Sequence, residues 1–232
     1  MNNNRMTASI VGVLYIIGTV SGILSVVFTQ SILTDPDYLK QFAVHENQIV
    51  IGLLCVLAMA LALAMVPVML FPVLKRFNEV LALGYLIFRG ALETVAYIAM
   101  VIATLFLIVT SQQYAAAGAS ASYLQSLGAV LLAGHDSINT LLIIVFSLDA
   151  LMLYGVLYQS KLIPRWISVW GVIAILMHFS TAFLILFHLV APGMSTTLFL
   201  INFPILIQEM VMAAWLIAKG FSPSALASVK QA

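Results

Sequence analysis

Arg89, Glu93, Asp149, His178 and Glu209 stand in the middle of apolar runs, where an ionisable side chain is costly to place. Buried carboxylates and an imidazole can take up and release protons, and an arginine among them can pair with an acid or attract an anionic solute. Tyr85, Arg89 and Glu93 follow at i, i+4 and i+8, which puts them on one helical stripe. Asn202 and Glu209 are seven residues apart and again share a face. Gly171, Ala174, His178 and Thr181 form a small and polar face.

The energy of placing such groups in lipid limits where they can go. A central Arg or Asp costs roughly 2.5–3.5 kcal/mol by insertion scales. Together the charges of Arg89, Glu93, Asp149 and Glu209 approach about 10 kcal/mol, comparable to a net folding stability of roughly 5–15 kcal/mol. They are therefore expected to face one another. Helix rise places Arg89, Asp149 and Glu209 about 14 Å from the same end of their runs, with Glu93 and His178 about 5 Å deeper. One guanidinium then meets three acids. At least one of Glu93, Asp149 and Glu209 is expected to hold a proton at neutral pH, unless His178 or a cation supplies the missing charge.

A second polar group, His45, Glu46, His135, Asp136 and His188, falls near the ends of the runs on the other side. Imidazole and carboxylate are ligands that zinc or manganese would accept. There is no HExxH, and the spacing is dispersed. Interfacial polarity or helix capping is the plainer reading. No Gly-rich phosphate loop, nucleophile elbow or other cofactor signature is present, so no cofactor is expected.

The elements that carry these residues are membrane spans. Hydrophobic residues make up 63% of the 232 and charged residues only 7%, against about 25% charged in a soluble domain. The expected fold class is all-α: a single domain, 1–232, forming a polytopic bundle of six transmembrane helices. A span needs about 20 apolar residues. The expected spans cover 8–28, 49–73, 80–110, 137–159, 166–190 and 197–218. The first ends Val27-Phe28-Thr29-Gln30, a poor cleavage site, and is read as a retained span. Short helices over 36–46, opened by Asp35-Pro36, and over 122–133 are expected in the outer interface, the latter set off by a break near Gly134–Asp136. Pro164 opens the fifth span, Pro192-Gly193 closes it, and Pro204 should kink the sixth.

Basic residues prefer the cytoplasmic side. Arg5, Lys75, Arg76, Lys161, Arg165, Lys219 and Lys230 then lie on one side against Lys40 alone on the other. Both termini are expected in the cytoplasm. Lysine plus arginine number 9 and acids 8, so no basic face for nucleic acid is expected. The one cysteine, Cys55, excludes an internal disulfide. Gly18 with Gly22, Ala58 with Ala62 and Ala60 with Ala64 are small-residue pairs that let helices approach closely, within the bundle or across a homodimer.

Several stretches resemble one family. They are His45-Glu46 before the second span, Phe88-Arg89 with Glu93, Leu153-Tyr154-Gly155-Val156-Leu157-Tyr158-Gln159-Ser160 leading to Leu162-Ile163-Pro164-Arg165, and Gln208-Glu209 through Trp215 to Gly220. Over nearly its whole length the chain resembles the bacterial integral-membrane family called domain of unknown function 4386. The resemblance implies six spans and a bacterial cytoplasmic (inner) membrane, and implies no activity. The residues themselves leave three readings. The first is binding or translocation of a small solute or protons through Arg89, Glu93, Asp149, His178 and Glu209, with Tyr85 and Asn202 beside them. The others are a metal-dependent membrane enzyme using the outer His/acid group, and a non-catalytic structural or regulatory membrane protein.

Overall fold

The computed structural model describes residues 2–117, 122–193 and 195–228. Lys230 lies outside the described residues. The elements are α1 (Asn2–Leu33), the short α2 (Tyr38–Val44), α3 (Glu46–Leu74), α4 (Glu79–Ile87), a π-helical turn (Phe88–Glu93), α5 (Thr94–Ala117), α6 (Ser122–Ser160), α7 (Arg165–Leu186), α8 (Thr196–Ala218) and the short α9 (Pro223–Ser228). Among the described residues there is no strand, and six helices are long and apolar enough to cross a membrane, counting α4, the π turn and α5 as one rod. Lipid offers the backbone no hydrogen bonds, so an apolar chain of this kind must satisfy them within each helix.

The surface is inverted relative to a soluble protein. Leu61, Val80, Val130 and Leu189 point outward and are largely exposed. Arg89, Glu93, Asp149 and Gln208 are buried. The two larger of three apolar clusters fill most of the interior. One contains Tyr15, Tyr85, Tyr154 and Met212. The other contains Phe42, Ile49, Tyr97 and Leu142. Tyr85 precedes Arg89 by one turn and Tyr97 follows Glu93 by one turn, so the charges sit at the seam between the two clusters.

Successive helices run antiparallel, which brings Arg5, Lys75, Arg76, Lys161, Arg165 and Lys219 to one end of the bundle. Hydrogen bonds tie that end together. Arg5 Nη2 donates to the carbonyls of Ile217 and Ala218 at 2.8 and 2.9 Å, closing the end of α8. Asn78 Nδ2 donates to Gln159 Oε1 at 3.1 Å, and the Ser222 amide to the Leu162 carbonyl at 2.9 Å. Asn78 and Ser195 cap α4 and α8 by accepting from the amides of Leu81 and Leu198.

The expected break near Gly134–Asp136 is absent, and 122–133 belongs to α6, which runs unbroken over 39 residues. A single Gly lowers helix stability by only about 1 kcal/mol, and the extension is held by packing. Leu124 is fully buried. Gly128 faces Leu39 and Tyr38 of α2 so closely that a Cβ there would stand 2.9 Å from Leu39 Cδ2. Gln125 Nε2 donates to Tyr114 Oη of α5 at 2.9 Å. The helix expected over 36–46 is present as α2, with Leu39 and Phe42 buried. It starts later than Asp35-Pro36 because Asp35 Oδ1 accepts from the Asp37 amide at 2.7 Å, forming a turn instead of a cap. α7 starts after Pro164 but ends at Leu186, short of Pro192-Gly193. α8 continues unbroken through Pro204.

The small residues of α1 serve packing within the chain. A Cβ on Gly18 would stand 2.5 Å from Leu63, and one on Gly22 2.8 Å from Met59 Sδ, both on α3. Gly12 meets the Ala213 carbonyl of α8 in the same way.

Candidate functional site

Arg89 lies on the π turn, and the turn explains why its stripe stays on one side of the helix. In an α-helix each i, i+4 step drifts by about 40°, so three such steps would carry the stripe out toward lipid. A π turn holds more residues per turn and takes that drift back. The buried positions accordingly run at four-residue spacing through Tyr85, Arg89, Glu93, Tyr97 and Val101, before reverting to closer spacing at Thr104 and Leu107. The turn also lets α3 approach. A Cβ on Gly90 would stand 3.4 Å from Pro67 Cγ.

The structure brings four of the expected residues together. Arg89 Nη1 stands 3.2 Å from Glu93 Oε2 and 3.7 Å from Asp149 Oδ1. Arg89 Nη2 stands 3.8 Å from Glu209 Oε1. The side chains of Arg89, Glu93 and Asp149 are at most 2% exposed, and that of Glu209 is 14% exposed. These are electrostatic contacts without hydrogen-bond geometry. Both oxygens of Glu93, both of Asp149 and Nε of Arg89 are buried without a hydrogen-bond partner. Two aromatic faces flank the guanidinium, with the Phe146 ring centroid at 4.9 Å and that of Tyr15 at 5.9 Å. A desolvated cation on such a face gains about 2 kcal/mol.

His178 and Asn202 are brought together, but beside the ion set. His178 Nδ1 lies 2.8 Å from Asn202 Oδ1. The imidazole meets Phe146 edge to face at 5.1 Å. Phe146 thus separates the His178–Asn202 pair from Arg89. Asn202 also borders a cavity of about 270 Å³ shared with Asn139 and Thr181. Tyr85 turns to Tyr15, with their hydroxyl oxygens 3.1 Å apart.

Sequence reasoning missed Tyr15, Phe146, Tyr97, Tyr154 and Gln208. The Tyr154 hydroxyl donates to Gln208 Oε1 at 2.5 Å, and Gln208 Nε2 donates to the Ile167 carbonyl at 3.0 Å. This buried pair joins α6, α7 and α8 immediately beside Glu209. Gln208 was a readable signal, because a buried amide in an apolar run must find partners.

The outer His/acid residues do not converge. Among the described residues no group of three His, Cys, Asp or Glu side chains is placed to hold a metal. His45 Nδ1 lies 3.2 Å from the Gln41 carbonyl. Glu46 Oε2 accepts from Gln112 Nε2 at 2.8 Å. The side chains of His135 and Asp136 meet each other, at 3.3 Å. His188 closes α7. It has φ of 56°, its amide donates to the Ile185 carbonyl, and the next amide, of Leu189, reaches back to Leu184. That is a Schellman cap with His where Gly is usual. His188→Gly should raise the unfolding free energy by about 0.5–1 kcal/mol, because glycine accepts positive φ without strain. Chemical denaturation in detergent measures it. A loss of stability would mean that contacts of the imidazole and the greater unfolded-state freedom of glycine outweigh the strain of the positive φ.

Fold and site together define a multi-pass α-helical membrane protein with a buried Arg–carboxylate cluster at its centre. The chain belongs to the family described as "Domain of unknown function (DUF4386)", whose sequence pattern matches residues 10–220, a stretch that includes every member of the cluster. No curated protein and no solved structure matches the chain.

Proposed function

We propose that this protein binds and passes protons, or a small solute coupled to them, through Arg89, Glu93, Asp149 and Glu209 in the bacterial cytoplasmic membrane, with the basic end inside. One observation carries the reading: three carboxylates lie within 3.8 Å of a single buried guanidinium. At an effective dielectric of about 20, each contact at such distances is worth about 4 kcal/mol. One cation offsets one anion, so full ionisation would leave two uncompensated negative charges in low dielectric. The set is balanced by protons, which the acids can exchange.

Tyr15, which flanks Arg89, also borders an otherwise apolar cavity of about 10 Å³, at the limit for one water. Glu209 is the most accessible acid of the set and is assigned the exchange with bulk. His178 with Asn202, behind Phe146, marks the path toward the 270 Å³ cavity.

The test uses protein reconstituted in liposomes loaded with a pH-sensitive dye. Wild type should dissipate an imposed pH gradient, and Glu209→Gln should slow that flux at least about tenfold while its thermal unfolding stays close to wild type. The loss corresponds to about 1.4 kcal/mol or more in the barrier. Infrared difference spectra should show a protonated carboxyl band at neutral pH. Equal flux in Glu209→Gln, or three ionised carboxylates with no bound cation, would leave the cluster as a packing device.

A further inference from the structure

The basic end contains a cleft that the proton reading does not use. It measures about 560 Å³, and its walls include Lys161, Arg165, Lys219, Trp215, Phe221 and Pro223. The three cations come from three different places in the chain: the turn after α6, the start of α7 and the residue after α8. Antiparallel packing and the Ser222–Leu162 hydrogen bond bring them to one opening. All three are exposed. None has an ion-pair partner among the described residues. Arg165 alone is partly engaged, stacking on Tyr158 at 4.8 Å and donating to its carbonyl at 3.4 Å. Lys161 is held at φ of 57°, an unusual backbone for a residue with a Cβ, so its direction from the helix end is fixed.

The lining also has an apolar part, formed by Trp215, Phe221 and Pro223. All three tryptophans of the chain, Trp166, Trp170 and Trp215, lie on the adjoining ends of α7 and α8, and Trp166 stacks on Trp170 at 6.4 Å. Tryptophan concentrates at headgroup depth. A cleft lined both by clustered cations and by aromatic and apolar side chains, at an interfacial depth, fits an amphiphile with an anionic phosphate.

We propose that this cleft is a specific site for the phosphate headgroup of an anionic phospholipid. The phosphate sits among Lys161, Arg165 and Lys219, and the glycerol and upper acyl chain lie along Trp215 and Phe221. Each basic residue near a membrane surface is worth about a fivefold gain in affinity for anionic lipid.

Full-length protein in neutral detergent is titrated separately with dioleoyl phosphatidylglycerol, dioleoyl phosphatidylcholine and inorganic phosphate, following thermal unfolding and lipid retention by native mass spectrometry. Phosphatidylglycerol should raise the unfolding temperature and be retained, and the other two should do neither. The double variant Lys161→Gln/Lys219→Gln, at two exposed side chains without ion pairs, should weaken the phosphatidylglycerol response at least about tenfold. Lys75→Gln/Arg76→Gln, at the same end but outside the cleft, should leave it intact. An equal response to inorganic phosphate would overturn the lipid assignment in favour of a free-anion site. An unchanged response in the Lys161/Lys219 variant, or an equal loss in the Lys75/Arg76 variant, would overturn the site itself.

Discussion

Arg89→Met should lower the unfolding free energy in detergent by about 3–5 kcal/mol, the usual consequence of removing one partner from a buried ion set. Met matches the side chain in length and apolar character, so little of the loss comes from a void. What remains is three acids, all within 3.8 Å of where the guanidinium stood. They must either take protons or draw water into a region that is at most 2% exposed at Glu93 and Asp149. The cation–π contacts with Phe146 and Tyr15 go as well.

The rescue variant distinguishes charge from packing. Adding Glu93→Gln and Asp149→Asn to Arg89→Met removes the two most buried acids and leaves only the less buried Glu209, and replacing buried ionic groups by neutral ones is often near neutral in energy. The triple variant should therefore recover at least about half of the loss. If Arg89→Met alone unfolded no more easily than wild type, the acids would already be fully protonated and the guanidinium would serve no electrostatic purpose. Both measurements concern folding, so they stand apart from the proton-flux assay on Glu209→Gln.

Much of this cluster was readable from residue types, because a charge inside an apolar run has few places to go. The level shared by Arg89, Asp149 and Glu209 followed from helix rise, and the structure places all three in contact. The six spans were equally plain, since run length is set by membrane thickness. Three features were less accessible. The π turn is a change of period, and Tyr85, Arg89 and Glu93 alone provide only two steps, too few to separate four-residue spacing from 3.6. The continuity of α6 depends on packing of Leu124 and Gly128 against α2, which no local signal encodes. Tyr15 and Phe146 flank Arg89, yet an aromatic residue among apolar neighbours looks like any other core residue. His178 was expected with the ion set, but its partner is Asn202, because Phe146 stands between it and Arg89.

Gly171→Val should cost about 2–6 kcal/mol and should also displace Glu209. A Cβ at Gly171 would stand 2.6 Å from Tyr154 Cδ1 and Cε1, in a place where Tyr154 is fully buried and cannot retreat. Overpacking of that kind costs about 1–3 kcal/mol. The ring can move only by breaking its bond to Gln208, which leaves buried polar atoms unpaired at about 1–3 kcal/mol more. Gln208 also donates to the Ile167 carbonyl, one turn before Gly171 on the same helix. α7 therefore both makes room for the tyrosine ring and accepts the amide, and the two contacts fix the rotation of α8 about its axis. Glu209 is the next residue on α8, so a rotation that frees Gln208 carries its carboxylate away from Arg89. The expected signature is a joint loss of stability and of proton flux, with both partly restored by Tyr154→Leu in the same chain, which removes the ring that collides. A Gly171→Val protein with wild-type stability, measured by denaturant unfolding, would mean that the glycine is not needed for this approach of helices.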